Sequence, residues 1–141
     1  MGMQNFKDSL AWQKAMDLTE LIDRALEGSR NFGYKDQLFR ASLSVCNNLA
    51  EGYEMPTRAH QLRYLWIAKG SCNEVLSMLV LAGRRGYFDA EQHRRMMSLN
   101  DEVSRLIRTY INTRSKAWSK FPGGRAMLML WLVATVPFMT R

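Results

Sequence analysis

The sequence predicts an all-α fold, an up-down antiparallel four-helix bundle. Three observations carry this. Apolar residues recur at three- and four-residue spacing through four stretches, each long enough for a globular helix. Pro and Gly are sparse, at 3 and 9, and most of those before residue 90 fall between the stretches. The connections are short, which makes consecutive helices antiparallel neighbours. One domain suffices for 141 residues, and 47% apolar with 23% charged residues excludes a disordered chain.

Residues 9–27 place Ala11, Ala15, Leu18, Leu21, Ile22 and Ala25 on one side, with Asp17, Glu20, Asp23 and Arg24 turned away. Ser9 suits the N-cap. Residues 28–35, GSRNFGYK, read as a loop. Residues 36–51 carry two adjacent stripes, Leu38-Ala41-Val45-Leu49 and Phe39-Leu43-Cys46-Ala50, so this helix is expected to be buried on most sides. Gly52 ends it and Pro56 follows.

The third helix runs from Thr57, an N-cap, to residue 81 or 83, with Leu62, Leu65, Ala68, Cys72, Val75, Leu76, Leu79 and Ala82 in phase. Gly70 inside it costs about 1 kcal/mol against Ala, which predicts a close helix approach at that point. Residues 83–89 form a turn, and Asp89 with Gln92 reads as a capping box. Residues 90–120 give the clearest amphipathic helix. Met96, Leu99, Val103, Leu106, Ile107 and Tyr110 lie on one side; Arg94, Ser98, Asp101, Arg105, Arg108 and Asn112 lie opposite. The division is a bundle domain over residues 1–120 and a Pro/Gly break with an apolar tail over 121–141. Residues 126–139, AMLMLWLVATVPFM, are too short to span a bilayer and too uniform for an interfacial helix. They are expected to pack on the bundle or a partner, or to be poorly ordered, with no membrane role.

The charge of +7 is uneven. Residues 1–56 carry 6 basic and 8 acidic side chains; residues 57–141 carry 14 and 5. Fourteen of the 20 cations are Arg, which suits bidentate phosphate contact. Chemistry-bearing motifs are missing: no P-loop, dinucleotide fingerprint, HExxH, GxSxG or CxxC occurs. His60 and His93 have no ligands at metal spacing, so no metal or other cofactor is expected. Glu51, Glu54 and Glu74 have no adjacent base or nucleophile. Cys46 and Cys72 read as buried apolar residues of a reducing cytoplasm. Residues 1–12 show neither a secretory apolar run nor a myristoylation pattern.

A pattern of polar residues at fixed offsets is more specific. Phe6, Trp12 and Ala15 are followed by Gln37, Arg40, Ala41, Ser44, Asn48, Ala50, Glu51 and Gly52, then by Ile67, Ala68, Gly70, Ser71 and Glu74. Over about residues 5–115 this resembles the four-helix bundle family of proteins encoded in intervening sequences of 23S ribosomal RNA genes. Leu10 stands one residue from the pattern's Leu, and the chain after Phe121 lies outside it. The resemblance implies a homo-oligomeric ring, a pentamer, and kinship with accessory proteins of diversity-generating retroelements, which bind nucleic acid and a reverse transcriptase. It implies no enzymatic activity.

The residues themselves explain part of the pattern. Ser44, Asn48, Ser71 and Glu74 are placed to form an inter-helix hydrogen-bond network. Glu51 is placed to join it or to cap a neighbouring helix, and Gly52 and Gly70 suit a C-cap and a tight contact. Arg40 completes this structural set. Nucleic-acid contacts are expected from Arg84, Arg85, Arg94, Arg95, Arg105 and Arg108, without base-specific readout. Against this stands a solvated mixed face, with Glu91 pairing Arg94 or Arg95 and Asp101 pairing Arg105. Trp12, Tyr64, Trp66 and Tyr110 suit core or subunit interface better than base stacking. The reading is a non-enzymatic oligomer that binds RNA or DNA, an accessory to a reverse transcriptase. The alternative is a protein-interaction scaffold with no nucleic-acid role.

Overall fold

The computed structural model describes residues 5–118. Their regular elements are all helical: a 3-10 turn (Phe6–Asp8), then α1 (Leu10–Ala25), α2 (Phe32–Glu54), α3 (Arg58–Arg85) and α4 (Ala90–Trp118). Helix α1 packs on α2 and α4, and α3 packs on the same two. With short connections between consecutive helices, this is an up-down four-helix bundle. The break and the apolar segment 126–139 lie outside the described residues.

The core stacks in two layers. At the end holding the α2–α3 turn, Ala11, Ala15, Val45, Leu49, Leu62, Ala68, Cys72, Val103 and Ile107 meet. Toward the α3–α4 turn, Leu18, Ile22, Leu38, Ala41, Val75, Leu79, Ala82 and Met96 meet. These are the predicted stripes, so three- and four-residue periodicity located the inward faces.

The boundaries moved where caps and tertiary contacts outweigh local composition. Helix α2 begins at Phe32, inside the expected loop. The Asn31 carboxamide accepts from the Tyr34 amide at 3.3 Å, capping the first turn. Tyr34 is buried, its ring edge meets Tyr87 at 4.9 Å, and its hydroxyl donates to the Met78 carbonyl at 2.7 Å. Those anchors outweigh the cost of Gly33 in a first turn. Thr57 caps α3 as expected, accepting from the His60 amide at 3.3 Å. Gly86, with φ of 64°, closes α3 and its N–H donates to the Ala82 carbonyl. Asp89 caps α4 by accepting from the Gln92 amide at 2.8 Å. Ser9 occupies the N-cap of α1 but makes no side-chain cap bond.

Neither motif glycine plays its expected role. Gly52 does not end α2, which continues to Glu54. It is a point of tight contact with α3: a Cβ there would sit 2.8 Å from the Cβ of Tyr64. Gly70 is exposed, and a Cβ there would meet nothing within 4 Å. The tight contact expected at Gly70 is therefore absent from the described bundle. Periodicity alone could not show which glycine faced a neighbour.

Candidate nucleic-acid interface

The six arginines expected to contact phosphate fall into two groups. Arg84 and Arg85 occupy the last turn of α3, where the dipole and free carbonyls of the helix end favour cations. Arg94 and Arg95 stand in the second turn of α4, directly across the α3–α4 turn. Arg105 and Arg108 lie further along α4. All six are exposed.

Two of the six are engaged within their own helix. Arg94 grips Glu91 with both ends of its fork, Nε to Oε2 at 3.0 Å and Nη2 to Oε1 at 2.7 Å. That hydrogen bond holds the Glu91 carboxyl below its ordinary range, and the charges of Arg94 and Arg95 act the same way. Arg105 pairs with Asp101 at 3.1 Å. These are the pairs that a mixed, solvated face requires. Arg84, Arg85, Arg95 and Arg108 form no ion pair among the described residues. Exposed pairs of this kind are weak and exchange readily for a phosphate oxygen.

The structural motif residues converge on the seam between α2 and α3. The Ser44 and Ser71 hydroxyls bond at 2.9 Å, and Asn48 donates to the Ser44 carbonyl and hydroxyl at 2.8 and 3.1 Å. Ser71 also bonds the Ile67 carbonyl at 3.2 Å. Glu74 does not join this cluster. It accepts from Gln37 on α2 at 2.5 Å, one step further along the same seam. Glu51 is exposed. Arg40 pairs within α2 to Asp36 at 2.9 Å. Phe6 meets Trp12 edge-on at 5.2 Å, fixing the 3-10 turn against α1.

Sequence reasoning missed several polar anchors. Asn100 is buried and donates to the Cys72 carbonyl at 3.1 Å. His93 bonds the Leu79 carbonyl at 2.8 Å, and its ring lies 3.0 Å from where a Cβ on Gly83 would sit. Arg114 donates to Gln61 at 3.2 Å and lies 5.7 Å over the Tyr110 ring. Single polar residues on a helix carry no periodic signal, so nothing in the sequence marked these partners.

Burial leaves both interior cysteines unactivated. Burial pushes the Cys72 thiol up to about 12 and raises that of Cys46, so both are neutral near pH 7. No three His, Cys, Asp or Glu side chains converge as metal ligands among the described residues. A cleft between Tyr53, Gln61, Tyr110 and Arg114 has a volume of about 30 Å³, room for water but well short of a substrate pocket.

Fold and site together define a class: a helical bundle with a polar inter-helix seam and arginines concentrated around one turn. The chain belongs to the 23S rRNA-intervening sequence protein family, whose pattern matches residues 7–109. Its fold is shared by the crystal structure of a protein of unknown function from the S23 ribosomal protein family of Bacteroides thetaiotaomicron. The TM-score is 0.68 at 24% identity, covering 72% of this chain and 98% of that one. No curated protein matches the chain. Neither the family description nor that of the solved structure states a catalytic activity.

Proposed function

We propose that this protein is a non-enzymatic helical bundle that assembles into a homo-oligomeric ring, a pentamer, and binds RNA or DNA without sequence preference. The observation that carries this reading is the concentration of arginines at the α3–α4 turn, where Arg84, Arg85 and Arg95 hold no ion pair among the described residues. Arg94, Arg105 and Arg108 extend the patch along α4. A ring repeats the patch in every subunit, so weak phosphate contacts gain avidity. A reverse transcriptase in the cytoplasm is the protein partner that fits a basic accessory ring of this kind, and no membrane role is proposed.

The test is a titration of labelled RNA at about 50 and 200 mM salt. Binding weakened by orders of magnitude across that interval supports the reading. No binding at the lower salt, or binding indifferent to salt, rejects it. A second reading, a protein-interaction scaffold, is favoured by one observation. Trp66, Leu76, Val80 and Leu81 on α3 are each 40–46% exposed, more apolar surface than a finished helix face usually leaves in water.

A further inference from the structure

Helix α3 is the one described helix long and apolar enough to cross a membrane, yet it packs on α2 and α4 through its inward face. Its surplus of apolar residues lies on the outward face. Trp66, Leu76 and Val80 stand there with Lys69 and Asn73 at alternating three- and four-residue steps, the spacing by which one helix receives another. Lys69 and Asn73 are hydrogen-bonded to each other at 3.2 Å. Gly70 and Ser77 lie exposed along the middle of this face, and Leu81 continues it. A side chain at Gly70 would meet open space, so the face is shallow between Trp66 and Leu81.

The chain carries a segment suited to that face. Residues 126–139 contain no charged side chain and include Met, Leu, Trp, Val and Phe. The reach also agrees. The end of α4 lies beside the start of α3, since Arg114 donates to Gln61 at 3.2 Å. To reach that face, a chain leaving α4 there would have to turn and run parallel to α3. Residues 119–125 span at most about 23 Å, enough to climb to the level of Trp66. Trp66 to Val80 measures about 21 Å along the helix, and residues 126–136, were they helical, would cover about 16 Å of it before Pro137. Residues 137–139 suffice for the remainder.

We propose that the apolar segment 126–139 docks in cis along the outer face of α3, over Trp66, Leu76, Val80 and Leu81. The mid-helix glycine then has a reason. Gly70 touches nothing in the bundle because the contact it makes room for is with this segment. The proposal is independent of nucleic-acid binding and holds whether or not the arginine patch takes phosphate.

Hydrogen exchange on the full-length protein tests it. Amides of residues 126–139 are expected to exchange at least about tenfold slower than in an unstructured peptide, at a rate unchanged by dilution. The double variant L76D/V80D is expected to abolish that protection and leave α1 and α2 protected. Because that variant places charge on a helix the core needs, Gly70→Leu is the cleaner partner. Its Cβ meets no described residue within 4 Å, and it is expected to fill the shallow face and keep the bundle intact while releasing the segment. Unprotected amides in the parent protein overturn the proposal. So does protection that survives both variants, or protection lost on dilution, which means that a second copy covers the face.

Discussion

The contrast between Gly52 and Gly70 gives the sharpest prediction about the fold. Both sit inside helices, so replacement by Ala gains about 1 kcal/mol of helix propensity at each. At Gly70 no described residue opposes that gain, since an added Cβ meets none of them within 4 Å. At Gly52 the added Cβ lies 2.8 Å from the Cβ of Tyr64. That atom is fixed to the α3 backbone and cannot rotate aside, so α2 and α3 must separate. Separation loosens Leu49, Leu62 and Leu65, which pack in the layer beneath. Overpacking costs about 1–3 kcal/mol, and the upper part of that range, about 2–3 kcal/mol, applies where backbone rather than a side chain must move. The net expectation is a loss of about 1–2 kcal/mol for Gly52→Ala and a gain of up to about 1 kcal/mol for Gly70→Ala. Urea denaturation followed by circular dichroism reads both, and the two midpoints should move in opposite directions. A Gly52→Ala protein as stable as Gly70→Ala would refute the close contact between α2 and α3.

Three further outcomes follow from the same geometry. Ser71→Ala removes the partner of Ser44 and should cost about 1 kcal/mol; S44A/S71A should cost less than the sum of its single changes, because each single change strands the other's partner. Cys72 and Tyr34 are each pushed by burial up to about 12 from 9.0 and 10.0, and Cys46 is raised too. Above about pH 9 the unfolded chain therefore loses protons that the native state keeps, so stability is full below that pH and should fall as pH rises toward 12. Urea midpoints at about pH 7 and about pH 10 check the sign. For the same reason a thiol reagent at neutral pH should label neither cysteine until denaturant is added. Finally, light scattering should give about five times the chain mass of 16.3 kDa if the ring is a pentamer.

Much of the bundle was legible because its inward faces repeat. Ala11, Ala15, Leu18 and Ile22 on α1, and Leu62, Leu65, Ala68, Cys72, Val75, Leu79 and Ala82 on α3, announce their faces by spacing alone and are buried, whereas Leu76, read in the same stripe, is 40% exposed. The caps at Thr57 and Asp89 were legible from residue chemistry. What stayed hidden depends on contacts distant in sequence. Nothing local to GSRNFGYK reveals that Tyr34 reaches Met78 and Tyr87, so the first turn of α2 was mistaken for loop. Nothing local distinguishes the crowded Gly52 from the open Gly70.

The candidate site divides along the same line. The seam of Ser44, Asn48 and Ser71 was predicted because polar residues at fixed offsets inside apolar helices need partners. Glu74 lies on the right seam but with a different neighbour, since Gln37, about two turns before Ser44 on α2, meets it instead. Among the arginines, sequence spacing offered Glu91 and Asp101 as alternatives to phosphate, and the folded chain uses both. The exposed arginines without an ion pair, rather than the whole stripe, are what the proposed function rests on.

The most direct test of that function compares the salt dependence of RNA affinity for the parent protein and R84Q/R85Q. Each arginine that neutralises a phosphate contributes about one unit to the slope of log affinity against log salt. The account predicts a steep slope for the parent, reduced by about two units in the double variant with the fold and assembled mass unchanged. Equal slopes for the two proteins, or no measurable affinity at low salt, would contradict it.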